Sequence, residues 1–111
     1  EMVVIPELPT IVSVKENKRT IPNKISLSQN YPNPFNPTTT INFSVPSDFS
    51  GNIKLVVYNL LGQVVEELVN DKFEAGNYQI HFNANKLTSG IYFYTISAGE
   101  FYQTKKMILL K

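Results

Sequence analysis

Asn30-Tyr31-Pro32-Asn33-Pro34-Phe35-Asn36-Pro37, with the alternating run Thr39 to Val45 close behind it, decides how the chain is read. Pro32, Pro34 and Pro37 hold φ at about −65° and remove their backbone donors. Tyr31, Asn33 and Asn36, each before a proline, are pushed into extended or turn geometry. Neither a helix nor a central strand passes through such a stretch, so a rigid, kinked surface segment is expected. Tyr31 and Phe35 are apolar enough to pin it to the layer beneath. The residues ahead of it, apart from one short strand, read as linker, and those after Pro37 read as short strands.

From Thr39 to Val45 the alternation is strict: Ile41, Phe43 and Val45 face inward, and Thr40, Asn42 and Ser44 face outward. Ile25 and Leu27, alternating with Ser26 and Ser28, predict a short first strand. Pro46-Ser47-Asp48 breaks the run and Ser50-Gly51-Asn52 turns the chain. Ile53, Leu55 and Val57 line the next inner face, and apolar Val56 and Tyr58 on its back predict a central strand. Asn59-Leu60-Leu61-Gly62 fits a short hairpin turn with a G1-type bulge, followed by a return strand from Gln63 to Val69. Asn70 to Lys72 and Glu74 to Asn77 frame a loop. Tyr78, Ile80 and Phe82 alternate with Gln79, His81 and Asn83. Asn83 to Gly90 is a loop with Leu87 as its plug, Ile91 to Ser97 an aromatic-rich strand, Ala98-Gly99-Glu100 a tight turn, and Phe101 to Leu110 the last strand. Strands at this spacing, without helical periodicity, predict an all-β, seven-stranded antiparallel β-sandwich. The expected core is Ile41, Phe43, Leu55, Val57, Ile80, Phe82, Ile91 and Phe93, enough for about 85 residues to fold alone.

Residues 1–24, with Pro6, Pro9, Pro22 and the polar run Lys15-Glu16-Asn17-Lys18-Arg19, read as linker or the end of a preceding region, and residues 25–111 as one domain. The chain opens at Glu1 without a signal-peptide pattern and reads as the end of something longer. The net charge of +1 gives no general attraction to polyanions. Its distribution is uneven: residues 25–100 hold Lys54, Lys72 and Lys86 against Asp48, Glu66, Glu67, Asp71, Glu74 and Glu100, while residues 101–111 hold Lys105, Lys106 and Lys111 with no acid. Cysteine is absent, which excludes disulfides and thiolate metal sites. No apolar run approaches the roughly 20 residues needed to span a membrane as a helix.

Catalytic constellations fail on supply, and no cofactor or metal is expected. His81 stands alone mid-strand, without the partner and orienter a base requires. Glu66 and Glu67 are adjacent on a strand and so point to opposite faces. Asp48, Asp71 and Glu74 lie in predicted loops without EF-hand spacing. Tyr58, Tyr92, Tyr94 and Tyr102 raise the prospect of an exposed aromatic strip that binds sugars, against the structural reading in which aromatic pairs stabilise sheets. Basic side chains interleaved with them are too few for nucleic acid.

Five pieces in order resemble the type A C-terminal sorting domain of the type IX (Por) secretion system. They are Leu27 to Thr39, Val57 to Val65, Ala75-Gly76, Leu87 to Tyr94 and Lys105 to Lys111. Phe82 stands where many members carry Trp. The resemblance implies an Ig-like sandwich and a secretion signal without catalysis of its own, carried by exported proteins of Bacteroidota and related bacteria. It implies periplasmic transit, recognition by the outer-membrane translocon, and arrival at the cell surface or release. It also implies removal by a sortase-like cell-surface peptidase, with the cut within residues 12–26.

Tyr31, Pro32, Asn33, Pro34, Phe35, Asn36 and Pro37 form the family motif. Asn59, Gly62, Gly90, Tyr92, Lys105, Lys106, Met107, Ile108, Leu109, Leu110 and Lys111 are the candidate recognition residues. The last strand is a candidate for edge pairing with a partner sheet; the bland reading makes Ile108 and Leu110 core. A monomer or weak oligomer, without nucleic acid or membrane insertion, is expected. The alternative is a retained Ig-like structural or carbohydrate-binding module of a cell-surface protein.

Overall fold

The computed structural model describes residues 24–111; the expected linker up to Lys24 and most of the expected cut region lie outside the described residues. The strands are β1 (Ser26–Leu27), β2 (Thr38–Val45), β3 (Asn52–Tyr58), β4 (Val64–Lys72), β5 (Gly76–Asn83), β6 (Gly90–Ala98) and β7 (Phe101–Leu109), with no helix among the described residues. They form a three-stranded sheet, β1-β2-β5, and a four-stranded sheet, β4-β3-β6-β7, with every strand pairing antiparallel. The chain is therefore the all-β sandwich that its alternation predicts. β3 lies between β4 and β6, as its two apolar faces require.

Between the sheets pack Ile41, Phe43 and Val45 from β2, Ile53, Leu55 and Val57 from β3, and Phe82 from β5, all buried. Leu87 plugs the β5–β6 loop against this core. Two expectations change. On β6 the inward side chains are Tyr92, Tyr94 and Ile96, while Ile91 is exposed and Phe93 only half-buried. Each hydroxyl donates to a backbone carbonyl, Tyr92 to Thr88 O and Tyr94 to Ser28 O, so their rings enter the core without an unsatisfied polar atom. On β7 the core residues are Met107 and Leu109, with Ile108 half-buried and Leu110 exposed. Ile80 is half-buried on the edge strand β5.

β4 runs to Lys72, three residues past the predicted end at Val69, because Asn70, Asp71 and Lys72 pair with Lys54, Ile53 and Asn52. Its register against β3 shifts twice, between Leu55 and Val56 and between Val57 and Tyr58. The shifts leave Val65 and Leu68 outside the pairing and let both lean on the core beside Val69.

The registers define two poles. β2 and β6 begin, and β3, β5 and β7 end, at the C-terminal pole. Loop 46–51, loop 73–75 and the Gly99-Glu100 turn close the other. Lys24 lies at that N-terminal pole, lining a groove with Phe101, Tyr102 and Gln103.

Candidate functional site

The proline segment is a strap. Ser28 donates its N–H to Asn42 O at 2.9 Å, and Tyr31 and Thr40 exchange both backbone hydrogen bonds at 3.0 and 2.9 Å, so the strap starts beside β2. The X–Pro bonds at Pro32, Pro34 and Pro37 are cis. At Phe35 the strap crosses to the other sheet and runs parallel to the end of β7. Phe35 N–H donates to Ile108 O at 2.9 Å, and Leu110 N–H donates to Phe35 O at 3.0 Å. Asn33 Oδ1 accepts from Ile108 N–H at 2.9 Å, and Gln29 Nε2 donates to Lys106 O at 2.7 Å. The outer backbone edge of β7 from Lys106 to Leu110 is thus taken by the same chain, which closes the stretch that edge pairing would use.

Two buried groups hold the strap's shape. Asn30 donates its N–H to Tyr94 Oη at 2.8 Å and its Nδ2 to Thr39 Oγ1 at 3.0 Å and Pro32 O at 3.2 Å. Tyr94 Oη in turn donates to Ser28 O at 2.7 Å. Burial pushes the Tyr94 pKa up to about 12, opposed by the hydrogen bond from the Asn30 amide. Phe35, 2% exposed, lays its ring against Phe82 with centroids 6.1 Å apart. Of the motif residues, Tyr31, Pro32, Asn33, Pro34 and Asn36 are exposed and Pro37 half-buried.

At the same pole, across β6 and β7 from the strap, stands the β3–β4 turn. Asn59 Oδ1 accepts from Leu61 N–H at 2.9 Å and Gln63 N–H at 3.0 Å, while Gly62 N–H donates to Asn59 O at 3.0 Å. Gly62 has φ +84°, a region that a side chain disfavours. The turn holds Leu60 and Leu61 out in solvent, 66% and 83% exposed. A groove of about 260 Å³ separates it from the loop ahead of β6, lined by Asn59, Leu61, Thr88, Gly90, Ile91 and the edge of Tyr92. Tyr92 itself is 6% exposed and donates its hydroxyl to Thr88 O at 2.7 Å.

The chain end closes the same pole. Lys111 N–H donates to Ser89 Oγ at 2.9 Å and its Nζ to Asn85 O at 2.7 Å, while Ala84 N–H donates to Pro37 O at 2.8 Å. Lys106 sits on the outer face opposite Phe93 and is exposed; Lys105 pairs with inward Tyr94 and is half-buried. The pole therefore gathers Asn59, Gly62, Gly90, Ile108, Leu110 and Lys111 at the surface and keeps Tyr92, Met107 and Leu109 inside. Sequence reasoning missed Asn30, Thr39 and Tyr94 as the groups that shape the strap. An Asn directly ahead of the proline run, able to bond the backbone of the turn it begins, was the available signal.

The tyrosine strip is not formed. Tyr92 and Tyr94 point inward, Tyr58 is half-buried, and exposed Tyr102 lies at the other pole. His81 is exposed on the outer face of β5 and meets only the Thr40 hydroxyl, at 3.0 Å from Nδ1. Among the described residues no group of three or more His, Cys, Asp or Glu is placed to hold a metal ion.

No curated protein matches the chain. The family described as "Secretion system C-terminal sorting domain" (Por_Secre_tail) matches over residues 29–110. The match begins at the strap's first side-chain anchor, Gln29, and ends at Leu110, whose amide the strap holds. It takes in the strap, the β3–β4 turn, the loop ahead of β6 and β7 as far as Leu110. The chain belongs to the family of secretion-system C-terminal sorting domains and is a type IX secretion signal.

Proposed function

We propose that residues 25–111 are read in the periplasm by the outer-membrane type IX translocon through the C-terminal pole. Residues 1–24 tether the cargo, and a sortase-like cell-surface peptidase cuts within residues 12–26 once the cargo is outside. The domain is an address and performs no catalysis. One observation supports this most: pieces separated by up to 77 residues, as Gln29 is from Lys106, are tied into one surface by specific hydrogen bonds.

Export tests the reading directly. Residues 1–111 are fused behind a periplasm-targeted fluorescent protein in a type IX-competent bacterium, beside a copy lacking Lys105 to Lys111. The full fusion is expected at the surface or in the medium, and the truncation in the periplasm. Mass spectrometry of the exported product then places the cut. A full fusion that folds yet stays periplasmic sinks the proposal.

A further inference from the structure

Between loop 46–51 and loop 73–75 the N-terminal pole holds a groove of about 540 Å³. It is lined by Phe49 and Phe73, two half-buried rings that pack against the core and leave their remaining surface to the groove. Both loops are held in place. Phe49 N–H donates to Pro46 O at 3.3 Å, and the Tyr78 hydroxyl donates to Glu74 O. A groove whose walls are already ordered costs little to fill.

The chain itself leads to this groove. Lys24 is the first described residue, and Ser44 Oγ donates to its carbonyl at 3.4 Å. Ser26 pairs with Ser44, and Val45 with Gly76. The chain ahead of β1 therefore leaves the sheet beside Pro46, where loop 46–51 starts and one strand away from where loop 73–75 ends. β5 lies two strand spacings from β1, about 10 Å. Residues 19–23, extended, reach at most about 18 Å, so they cross that gap with length to spare. Between Val14 and Ile25 the only apolar side chains are Ile21 and Pro22. Pro22 restricts Ile21 to extended geometry, which removes part of the entropy that docking would cost.

Charge and tethering select this segment over a second copy. The pole carries Asp48, Asp71, Glu74 and Glu100 against Lys54 and Lys72, all exposed, with Glu66 and Glu67 farther along β4 beside Val57 and Val56. Two copies joined at this pole would set that excess of acids against itself. Residues 14–24 bring Lys15, Lys18, Arg19 and Lys24 against Glu16 alone. Their attachment at Lys24 also holds them at a local concentration on the order of millimolar. We propose that residues 19–23 turn back from Lys24 across the N-terminal pole, with Ile21 and Pro22 covering the Phe49 and Phe73 rings and Arg19 facing Asp48 and Glu74. The docked segment shields its own backbone, and the β1–β2 pairing with Ile25 and Leu27 in the core closes residues 25–26 as well. The peptidase cut then falls ahead of Thr20, within residues 12–19. That consequence rests on the proposed function; the docking does not.

Hydrogen exchange of the purified 111-residue chain tests the docking without any secretion machinery. Corrected for intrinsic rates, the amides of Thr20, Ile21 and Asn23 exchange at least about tenfold more slowly than those of Ile11 to Val14. Ile21→Ser and Arg19→Glu bring them to the faster rate, and Ile11→Ser changes nothing. All three positions lie ahead of β1, and thermal unfolding checks that each variant keeps the sandwich. Equal exchange in the parent overturns the inference, as does protection that survives Ile21→Ser. Protection that appears only as concentration rises, with a dimer in sedimentation, assigns the groove to a second copy and overturns it too. In the exported fusion, mass spectrometry finds the cut ahead of Thr20. A cut between Thr20 and Ser26 overturns the shielding and leaves the sorting function standing. A fusion that stays periplasmic removes the sorting reading, while the exchange result still decides the docking.

Discussion

The two poles close the same strands by different means. At the N-terminal pole the seal is aromatic: Phe73 meets Phe43 and Tyr78 edge-on, with centroids 5.3 and 4.8 Å away, and Phe49 packs nearby against the core. At the C-terminal pole it is a polar network in which Asn30, Asn33, Asn59 and Tyr94 each bind backbone groups. Aromatic packing excludes water and tolerates many backbone paths. Hydrogen bonds to named amides and carbonyls allow few, because a buried partner left unpaired costs its full desolvation. The pole that gathers the proline motif is the one whose backbone shape is specified.

The largest effect that sharpens this contrast is at Phe35. Phe35→Ala removes a buried ring that pins the strap, and urea unfolding should show a loss of about 3 to 5 kcal/mol. Phe73→Ala, at a half-buried ring in the aromatic seal, should lose clearly less. Equal losses would break the comparison.

Tyr94→Phe keeps the ring but strands the Asn30 amide and the Ser28 carbonyl, for about 1 to 3 kcal/mol. Its pKa of about 12 adds a pH test. The folded state holds the phenolic proton more tightly than the unfolded chain, whose tyrosine titrates at about 10. The stabilisation is therefore complete below about pH 10 and drains away as pH rises toward 12. Wild type should lose stability across that window by a margin that Tyr94→Phe lacks, as read in pH-jump unfolding.

Gly62→Ala should cost about 1 kcal/mol through its positive φ alone, since a Cβ there meets nothing within 4 Å. Asn33→Ala is smaller still, about 0.5 to 1.5 kcal/mol, but should speed hydrogen exchange at the Ile108 amide. At the other pole Tyr102→Ser should stay within about 0.5 kcal/mol of wild type.

The strands were legible where one face alone is apolar. β2 and β3 alternate cleanly, and the apolar back of β3 gave away its central place. β6 was not legible in facing, because Ile91-Tyr92-Phe93-Tyr94 is apolar at every position and the period-two signal vanishes. What turns Tyr94 inward is a carbonyl at Ser28 and an amide at Asn30, more than 60 residues earlier. The bulges of β4 left no mark either, since nothing in Val64 to Val69 distinguishes the residues that fall out of register. The prolines announced a rigid surface segment and Phe35 its anchor. That the segment lies along β7 depends on the pairing of two distant stretches, and no local pattern encodes it. For the same reason the candidate recognition residues were named piece by piece, while their meeting at one pole needed the registers of the strand pairs.

The opposition of Lys24 and Lys111 across the sandwich has a consequence of reach. β7 alone, nine residues long, spans about 30 Å. On the proposed reading, a cargo joined upstream of Lys24 is held off by that length from the C-terminal pole. A bulky passenger then casts no shadow on its own label, and passengers of unrelated shape can travel under the same one.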